Sequence, residues 1–138
     1  MMGIRLTILL VVVLLIGCSE KDSLGRDEGQ TEDDRVAYFA GGCFWCMESA
    51  FEEYDGVSEV VSGFMGGSEE NPLYKDVSAG RTEHLETVKV FYDPGRIRYE
   101  DLLEIFWRQI DPTDAEGSFV DRGTQYRSAI FFQAEEFE

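Results

Sequence analysis

Two cysteines stand three positions apart, directly after a pair of glycines, in the segment Gly41-Gly42-Cys43-Phe44-Trp45-Cys46. The segment follows a short apolar stretch and opens a pattern typical of an amphipathic helix. A cysteine in the first helical turn faces unpaired backbone N–H groups and the positive end of the helix dipole, and both favour the reactive thiolate. The pattern therefore predicts Cys43 as a nucleophile. Cys46, one helical turn away, is close enough to react with an oxidised Cys43.

Hydrophobic periodicity and turn residues predict the elements that must position this pair. The predicted strands are 36–40, 57–64, 88–92 and 128–132, and the predicted helices are 43–54, 99–110 and the start of a third at 134–138. The polar stretch 68–81 is predicted to be mostly loop. The order strand, helix, strand, strand, helix, strand predicts an α+β fold of the split βαβ (ferredoxin-like) type. We expect a two-layer sandwich with a mixed sheet and helices on one face.

Composition limits the function classes. The chain has 138 residues, which suits one ordinary domain, and 43% of them are hydrophobic, which permits a packed core. Twelve Lys and Arg face 28 Asp and Glu, for a formal net charge of -16. Nucleic acid is an improbable partner, since binding to phosphates requires clustered positive charge.

The first residues read as an export signal. An apolar run from Leu6 to Ile16 is shorter than the roughly 20 residues that a membrane-spanning helix needs. It ends in Leu15-Ile16-Gly17-Cys18, which resembles the lipobox of bacterial lipoproteins. We expect a signal peptide over 1–17, lipidation of Cys18, a disordered acidic tether over 18–35, and a folded domain over 36–138. The protein would then be held on the periplasmic or extracellular face of a bacterial envelope. An uncleaved anchor or a plain signal peptide are the alternatives.

A series of short motifs follows in order along the folded domain. They are Gly42–Trp45, Ser62–Gly67, Asn71–Tyr74, His84–Glu86, Phe106–Trp107, Asp111–Asp114 and Asp121–Ile130. Each could be accidental alone, but together and in this order they are highly specific. From about Val36 to its end, the chain resembles the A-type peptide-methionine sulfoxide reductases.

The resemblance implies a function and a set of site residues. The reaction is thiol-dependent reduction of methionine S-sulfoxide, free or in proteins, to methionine. The nucleophile of the family matches Cys43 and its acid matches Glu86. The remaining site residues match two hydrogen-bonding tyrosines, an active-site Asp and an apolar pocket for the substrate methyl group: Tyr74, Tyr126, Asp121, Phe44 and Trp45. No cofactor or metal is implied. Reducing equivalents come from thioredoxin or a similar dithiol, and the enzyme is expected to be a monomer.

The chemistry of these residue types agrees with the implied roles. A carboxylic acid beside an apolar pocket has a raised pKa, so Glu86 could protonate the leaving oxygen near neutral pH. Tyr74 and Tyr126 could donate hydrogen bonds to that oxygen. The product is a sulfenic acid on Cys43, which Cys46 or an external thiol must resolve. We interpret His84, the only histidine, as a structural hydrogen-bonding residue.

The chain departs from the family pattern at three places. Glu83 and Leu85 stand where the family usually has Gly and Ala, and Phe64 stands where it usually has Tyr. The chain also ends at Glu138, in an apparent helix start, with no cysteine after Cys46. We therefore expect the catalytic domain to lack its C-terminal part.

Three other classes remain open from sequence. A thioredoxin-like disulfide oxidoreductase also places Cys-x-x-Cys at a helix start after a strand. A metal-binding lipoprotein could use Cys43, Cys46, His84 and a carboxylate. The third alternative is an inactive, truncated domain anchored to the membrane.

Overall fold

The computed structural model describes residues 34–132. Six strands are present in this range: β1 Arg35–Ala40, β2 Val57–Met65, β3 Leu85–Tyr92, β4 Gly117–Ser118, β5 Asp121–Arg122 and β6 Ala129–Phe131. The helices are α1 Phe44–Glu52, α2 Tyr74–Val77 and α3 Tyr99–Gln109, with a 3-10 turn at Thr124–Tyr126. No helix within residues 34–132 is long and apolar enough to cross a membrane. The predicted signal peptide, the lipidated Cys18 and the helix start at 134–138 lie outside the described residues.

Four strands form the main sheet in the order β2-β3-β1-β6. This order confirms the predicted split βαβ arrangement. The prediction of a mixed sheet was wrong, because β3 is antiparallel to both β1 and β2, and β6 is antiparallel to β1. The reason is topological. Each helical crossover leaves a gap one strand wide, and the strand that fills it runs in the opposite direction. β3 lies between β1 and β2, and β1 lies between β3 and β6.

Both long helices pack on the same face of this sheet, as predicted. The ring of Phe39 on β1 stacks on Phe51 of α1 at 5.0 Å and on Phe106 of α3 at 5.2 Å. All three rings are almost fully buried. Phe39 therefore joins the two helices to the centre of the sheet, and its neighbours on β3, Val88 and Val90, complete that layer of the core.

Strand alternation places a carboxyl on the helix-facing side of β3. Successive side chains of a strand point to opposite faces, so Glu86 shares the face of Val88, which is paired with Phe39. Leu85 and Thr87 point to the other face. Glu86, at the start of β3, therefore lies in the layer between the sheet and the helices, beside α1.

Two differences from the predicted elements concern short structures. The polar stretch 68–81 contains α2, and the segment after α3 contains the β4–β5 hairpin and the 3-10 turn. No helix or strand among these has more than four residues, which is too short for periodicity to reveal. At the other end, Arg35 belongs to β1 and pairs with Tyr92, so the strand begins one residue inside the predicted tether.

Candidate active site

Helix α1 begins at the nucleophile predicted from sequence. Cys43 is the N-cap residue, with extended backbone, and its carbonyl accepts hydrogen bonds from the N–H groups of Cys46 and Met47 at 3.0 and 3.3 Å. Its side chain is partly buried and caps no backbone group. Gly42, just before it, has a φ of +108°, which L side chains rarely adopt. The glycine pair therefore allows the sharp entry that presents the Cys43 thiol at the end of the helix.

Two carboxylates from distant elements bond to the backbone at this helix start. The N–H of Phe44 donates to Glu86 Oε2 at 3.1 Å, and the N–H of Cys43 donates to Asp121 Oδ2 at 3.4 Å. Both satisfy donors that a helix N-terminus leaves unpaired. Because each acceptor bonds to the nucleophile or to its neighbour, both carboxyl groups are held close to Cys43.

Glu86 is only 2% exposed. Burial raises the pKa of its carboxyl, the hydrogen bond from Phe44 opposes this shift, and the charge of Asp121 adds to it. The net direction is upward, because removing a carboxylate from water disfavours its charged form. A carboxyl with a raised pKa beside a thiol stays protonated to a higher pH than usual and can deliver that proton.

The two predicted tyrosines come from neighbouring elements. Burial raises the pKa of the Tyr126 hydroxyl, and the charges of Glu86, Tyr74 and Asp121 act in the same direction, while a hydrogen bond with Gln125 opposes it. Tyr74, the first residue of α2, stacks on Phe44, and Gln125 joins the turn that contains Tyr126 to the end of α2. Both tyrosines are therefore linked to the elements around the start of α1.

The predicted apolar pocket is an aromatic cluster on one side of the thiol. Phe44 stacks on Tyr74, with centroids 6.1 Å apart, and lies 5.5 Å from Trp45. Phe44 is buried, whereas Trp45 is 63% exposed and Tyr74 about half exposed. Phe64, which stands where the family usually has Tyr, packs against Phe44 at 5.8 Å. The cluster provides a buried floor and an accessible rim.

Cys46 lies on the solvent side of the helix start and is exposed, and both cysteines are free. Burial raises the pKa of the Cys46 thiol, and the charge of Cys43, the charge of Asp121 and a hydrogen bond with Cys43 act in the same direction. The two thiols therefore lie near each other within one helical turn.

His84 is placed outside this group. Its Nδ1 accepts a hydrogen bond from the N–H of Gly67 at 3.3 Å, and its Nε2 lies 2.9 Å from the carbonyl oxygen of Glu69. A Cβ on Gly67 would stand 2.4 Å from the ring, so the contact requires glycine there. Both ring nitrogens thus join the loop after β2 to the start of β3. In the described part of the chain, no group of three or more His, Cys, Asp or Glu side chains could hold a metal ion.

Sequence reasoning missed two positions that shape the site. A Cβ on Gly42 would stand 3.0 Å from Cβ of Ser118, so the β4–β5 hairpin packs directly against the entry to α1. Gln125 donates from Nε2 to the carbonyl oxygen of Ser78 at 2.9 Å, which joins the turn carrying Tyr126 to the end of α2. The only sequence signal was the pair of glycines that flank the hairpin, Gly117 and Gly123, both with positive φ.

Comparison with known proteins agrees with this geometry. The family described as peptide methionine sulfoxide reductase matches residues 35–138. A peptide methionine sulfoxide reductase MsrA of Streptococcus agalactiae is 54% identical over 100 residues, which cover 72% of this chain and 59% of that protein. The MsrA of Bacillus subtilis is 53% identical over 102 residues, covering 74% of this chain and 58% of that protein.

Solved structures show the same likeness. Methionine sulfoxide reductase A of Corynebacterium diphtheriae superposes with a TM-score of 0.74 at 37% identity, covering 78% of this chain and 51% of that one. Reduced Mxr1 of Saccharomyces cerevisiae gives a TM-score of 0.70 at 31% identity, covering 78% and 64%. The chain therefore spans a little over half the length of the curated relatives that it matches. The match over residues 35–138, together with a cysteine and a buried carboxyl at one helix start, shows that the chain belongs to the peptide methionine sulfoxide reductase family.

Proposed function

We propose that this chain reduces methionine S-sulfoxide, free or within polypeptides, to methionine. One observation carries the proposal. A carboxyl that is 2% exposed accepts a hydrogen bond at 3.1 Å from the N–H next to a cysteine at a helix N-terminus. The arrangement supports the proposal, because the carboxyl that would donate a proton and the cysteine that would attack lie at one helix start beside an aromatic wall. Reduction of a sulfoxide needs both groups together, because the oxygen must be protonated as it leaves.

The proposed chemistry begins with attack of the Cys43 thiolate on the sulfoxide sulfur. Glu86 protonates the oxygen, and Tyr74 and Tyr126 donate hydrogen bonds to it. The hydroxyl group then moves from the methionine sulfur to the Cys43 sulfur as the new S–S bond breaks, which leaves a sulfenic acid on Cys43 and releases methionine. The carboxylate of Asp121 accepts a hydrogen bond from the N–H of Cys43 and so fixes the backbone of the nucleophile. Phe44 and Trp45 contact the methyl group of the substrate, which orients the sulfur toward the thiolate.

The cycle closes through a second thiol. The Cys46 thiol attacks the Cys43 sulfur, a Cys43–Cys46 disulfide forms and water is released. A dithiol protein such as thioredoxin then reduces that disulfide. The overall change is methionine sulfoxide plus two thiols giving methionine, a disulfide and water. The position of the two thiols within one helical turn and the exposure of Cys46 support this route. Direct reduction of the sulfenic acid by an external thiol is the alternative.

We also propose that the protein acts at the outside of a bacterial membrane, as a monomer held by a lipid on Cys18. The support is the apolar run that ends in Leu15-Ile16-Gly17-Cys18, followed by a polar, acidic segment. A chain with a net charge of -16 would be repelled by anionic lipids, so the acyl chains would have to hold it.

The proposed activity is tested by methionine formation from L-methionine S-sulfoxide with dithiothreitol as reductant. We expect turnover by the intact protein and none by Cys43→Ser, because a hydroxyl is a far weaker nucleophile than a thiolate. Protein folding of the variant is checked by circular dichroism. Absence of turnover by the intact, folded protein would favour the inactive-domain alternative, and turnover by Cys43→Ser would remove Cys43 as the nucleophile.

A further inference from the structure

The β4–β5 hairpin has an unusual tip. Its strands pair Gly117 with Arg122 and Ser118 with Asp121, so only Phe119 and Val120 form the turn. Phe119 has a φ of +51°, a backbone region that favours Gly or Asn and that is a genuine outlier for a bulky residue. Phe119 is 60% exposed and Val120 is 90% exposed. The tip therefore has a strained backbone and two apolar side chains in water. Within the described residues, no buried contact of these side chains offsets the strain or the exposure.

The base of this hairpin is fixed to the active site. Ser118 lies under Gly42, and Asp121 accepts the hydrogen bond from the N–H of Cys43. Arg122 donates from Nη2 to Asp114 Oδ1 at 3.2 Å, and this bond attaches β5 to the loop that precedes the hairpin. Since the strands end at Ser118 and Asp121, the two tip residues project from a base that is in contact with the nucleophile's own backbone.

The tip continues from a hairpin base that is hydrogen-bonded to the backbone of Cys43. Two residues of extended chain span about 7 Å, so the side chains one or two positions from a bound methionine sulfoxide extend well beyond the thiol. Trp45 and Tyr74 form the exposed apolar rim on the aromatic side of the thiol. The hairpin tip gives the site a second exposed apolar surface.

We infer that the Phe119–Val120 tip is a docking surface for an apolar side chain that flanks methionine sulfoxide in a polypeptide substrate. Strain kept at an exposed position beside a reacting group is typical of a ligand contact. The inference rests on the proposed function, which supplies the sulfoxide, and adds a preference among substrates. A segment with leucine beside the sulfoxide is favoured over the same segment with glycine, because only leucine covers the tip.

The test compares three substrates with dithiothreitol as the sole reductant. They are free L-methionine S-sulfoxide, a capped peptide Gly-Gly-Met(O)-Gly-Gly and a capped peptide Ala-Leu-Met(O)-Leu-Ala, the two peptides being prepared as the S epimer. The double variant Phe119→Gly with Val120→Ser places turn-forming residues at the tip, so the hairpin is retained with less strain. Val61→Thr is the matched control, since Val61 is an exposed β-branched residue on the sheet face opposite the helices.

We expect the intact protein to have a higher kcat/KM for the leucine peptide than for the glycine peptide. In the double variant, the ratio of kcat/KM for the leucine peptide to that for free sulfoxide falls about 5- to 20-fold, the usual scale for losing one apolar contact. Val61→Thr keeps the ratio of the intact protein. An unchanged ratio in the double variant overturns the inference, and so does an equal loss on all three substrates.

A binding measurement separates this inference from the proposed activity. Titration calorimetry of the leucine peptide into Cys43→Ser needs no turnover. The same titration is repeated on Cys43→Ser with the two tip substitutions. Weaker binding caused by the tip substitutions supports the docking surface even if the intact protein reduces nothing. Equal affinity of both variants for the leucine peptide rejects it even if the intact protein is active.

Discussion

Glu86 is subject to two opposing influences at the scale of a single residue. Its burial disfavours the carboxylate, while the N–H of Phe44 favours it, and the raised pKa shows that burial dominates. The same hydrogen bond fixes the carboxyl at the helix start, so the acid is both held and kept protonated to a higher pH than usual. Its position follows from strand alternation, because Glu86 shares a face with Val88 in the core.

Glu86→Gln tests this role in catalysis. The amide keeps the shape and can still accept from Phe44, but it carries no transferable proton. We expect a loss of about 10²–10⁴-fold in the chemical step near neutral pH. The loss should shrink toward low pH, where solvent protons replace the acid. Single-turnover methionine formation measured between about pH 5 and 8 gives the answer, and equal rates for the two proteins across that range would exclude Glu86 from proton transfer.

The same substitution changes stability with pH. A carboxyl whose pKa is raised on folding stabilises the fold below its unfolded value, about 4.3, and this contribution is lost as pH rises through the folded value. The midpoint of thermal unfolding of Glu86→Gln, compared with the intact protein, should therefore increase as the pH rises from about 4 to 8. A difference that is constant with pH would mean that Glu86 titrates alike in the folded and unfolded chains.

Cys46 allows a prediction about how the oxidised enzyme is reset. Only Phe44 and Trp45 separate the two cysteines, so a disulfide requires the first turn of α1 to loosen. After one equivalent of methionine sulfoxide we expect a Cys43–Cys46 disulfide, and we expect Cys46→Ser still to form one equivalent of methionine. Alkylation and peptide mass mapping distinguish the products. An alkylated Cys46 beside a sulfenic or externally coupled Cys43 would show that reduction is direct.

At the scale of elements, the site is a junction of four short pieces. The start of α1 supplies the thiol, the start of β3 supplies the buried acid, α2 supplies Tyr74, and the β4–β5 hairpin with its following turn supplies Asp121 and Tyr126. Hydrogen bonds join these pieces, and α1 and β3 also share the hydrophobic core. The junction should therefore respond to changes in backbone packing as strongly as to changes in the reacting groups.

Gly42→Ala tests the contact between the hairpin and α1. The new Cβ would stand 3.0 Å from Cβ of Ser118, at a φ of +108° that alanine adopts with strain. We expect a stability loss of about 1–3 kcal/mol, with slower alkylation of Cys43 or slower turnover. Gly63→Ala is the control, because a Cβ there meets nothing within 4 Å. Urea unfolding measures both, and equal stability of the two variants would contradict this packing.

At the scale of the whole molecule, the acidic balance and the first residues suggest how the domain is held in place. Because a chain of net charge -16 has little attraction for anionic lipid, the proposed membrane association would depend on the acyl chains on Cys18. Cys18→Ala should therefore lose palmitate labelling and move from the detergent-extracted to the aqueous fraction. Turnover of methionine sulfoxide per mole of protein should be retained, since Cys18 is not one of the two cysteines proposed to react. Labelling that persists in Cys18→Ala would refute lipidation at this position.

The sequence by itself predicted the order of the main elements, the nucleophile and the approximate site. Periodicity found β1, α1, β2 and α3, because each has a long apolar face. The ordered motifs indicated the family. Glu83 and Leu85 put the geometry around His84 in doubt, yet Glu86 still reaches Phe44, because the strand register positions it rather than the loop residues before it.

Only the tertiary structure decided how the pieces meet. The sheet is antiparallel because each crossover leaves a gap one strand wide that an oppositely directed strand occupies, and local pattern cannot show which strands become neighbours. The β4–β5 hairpin has two-residue strands, so it carries no periodicity, and its packing under Gly42 depends on contacts far apart in the chain. The raised pKa of Glu86 likewise arises from burial between sheet and helix, a property of the packed molecule that the residue alone does not possess.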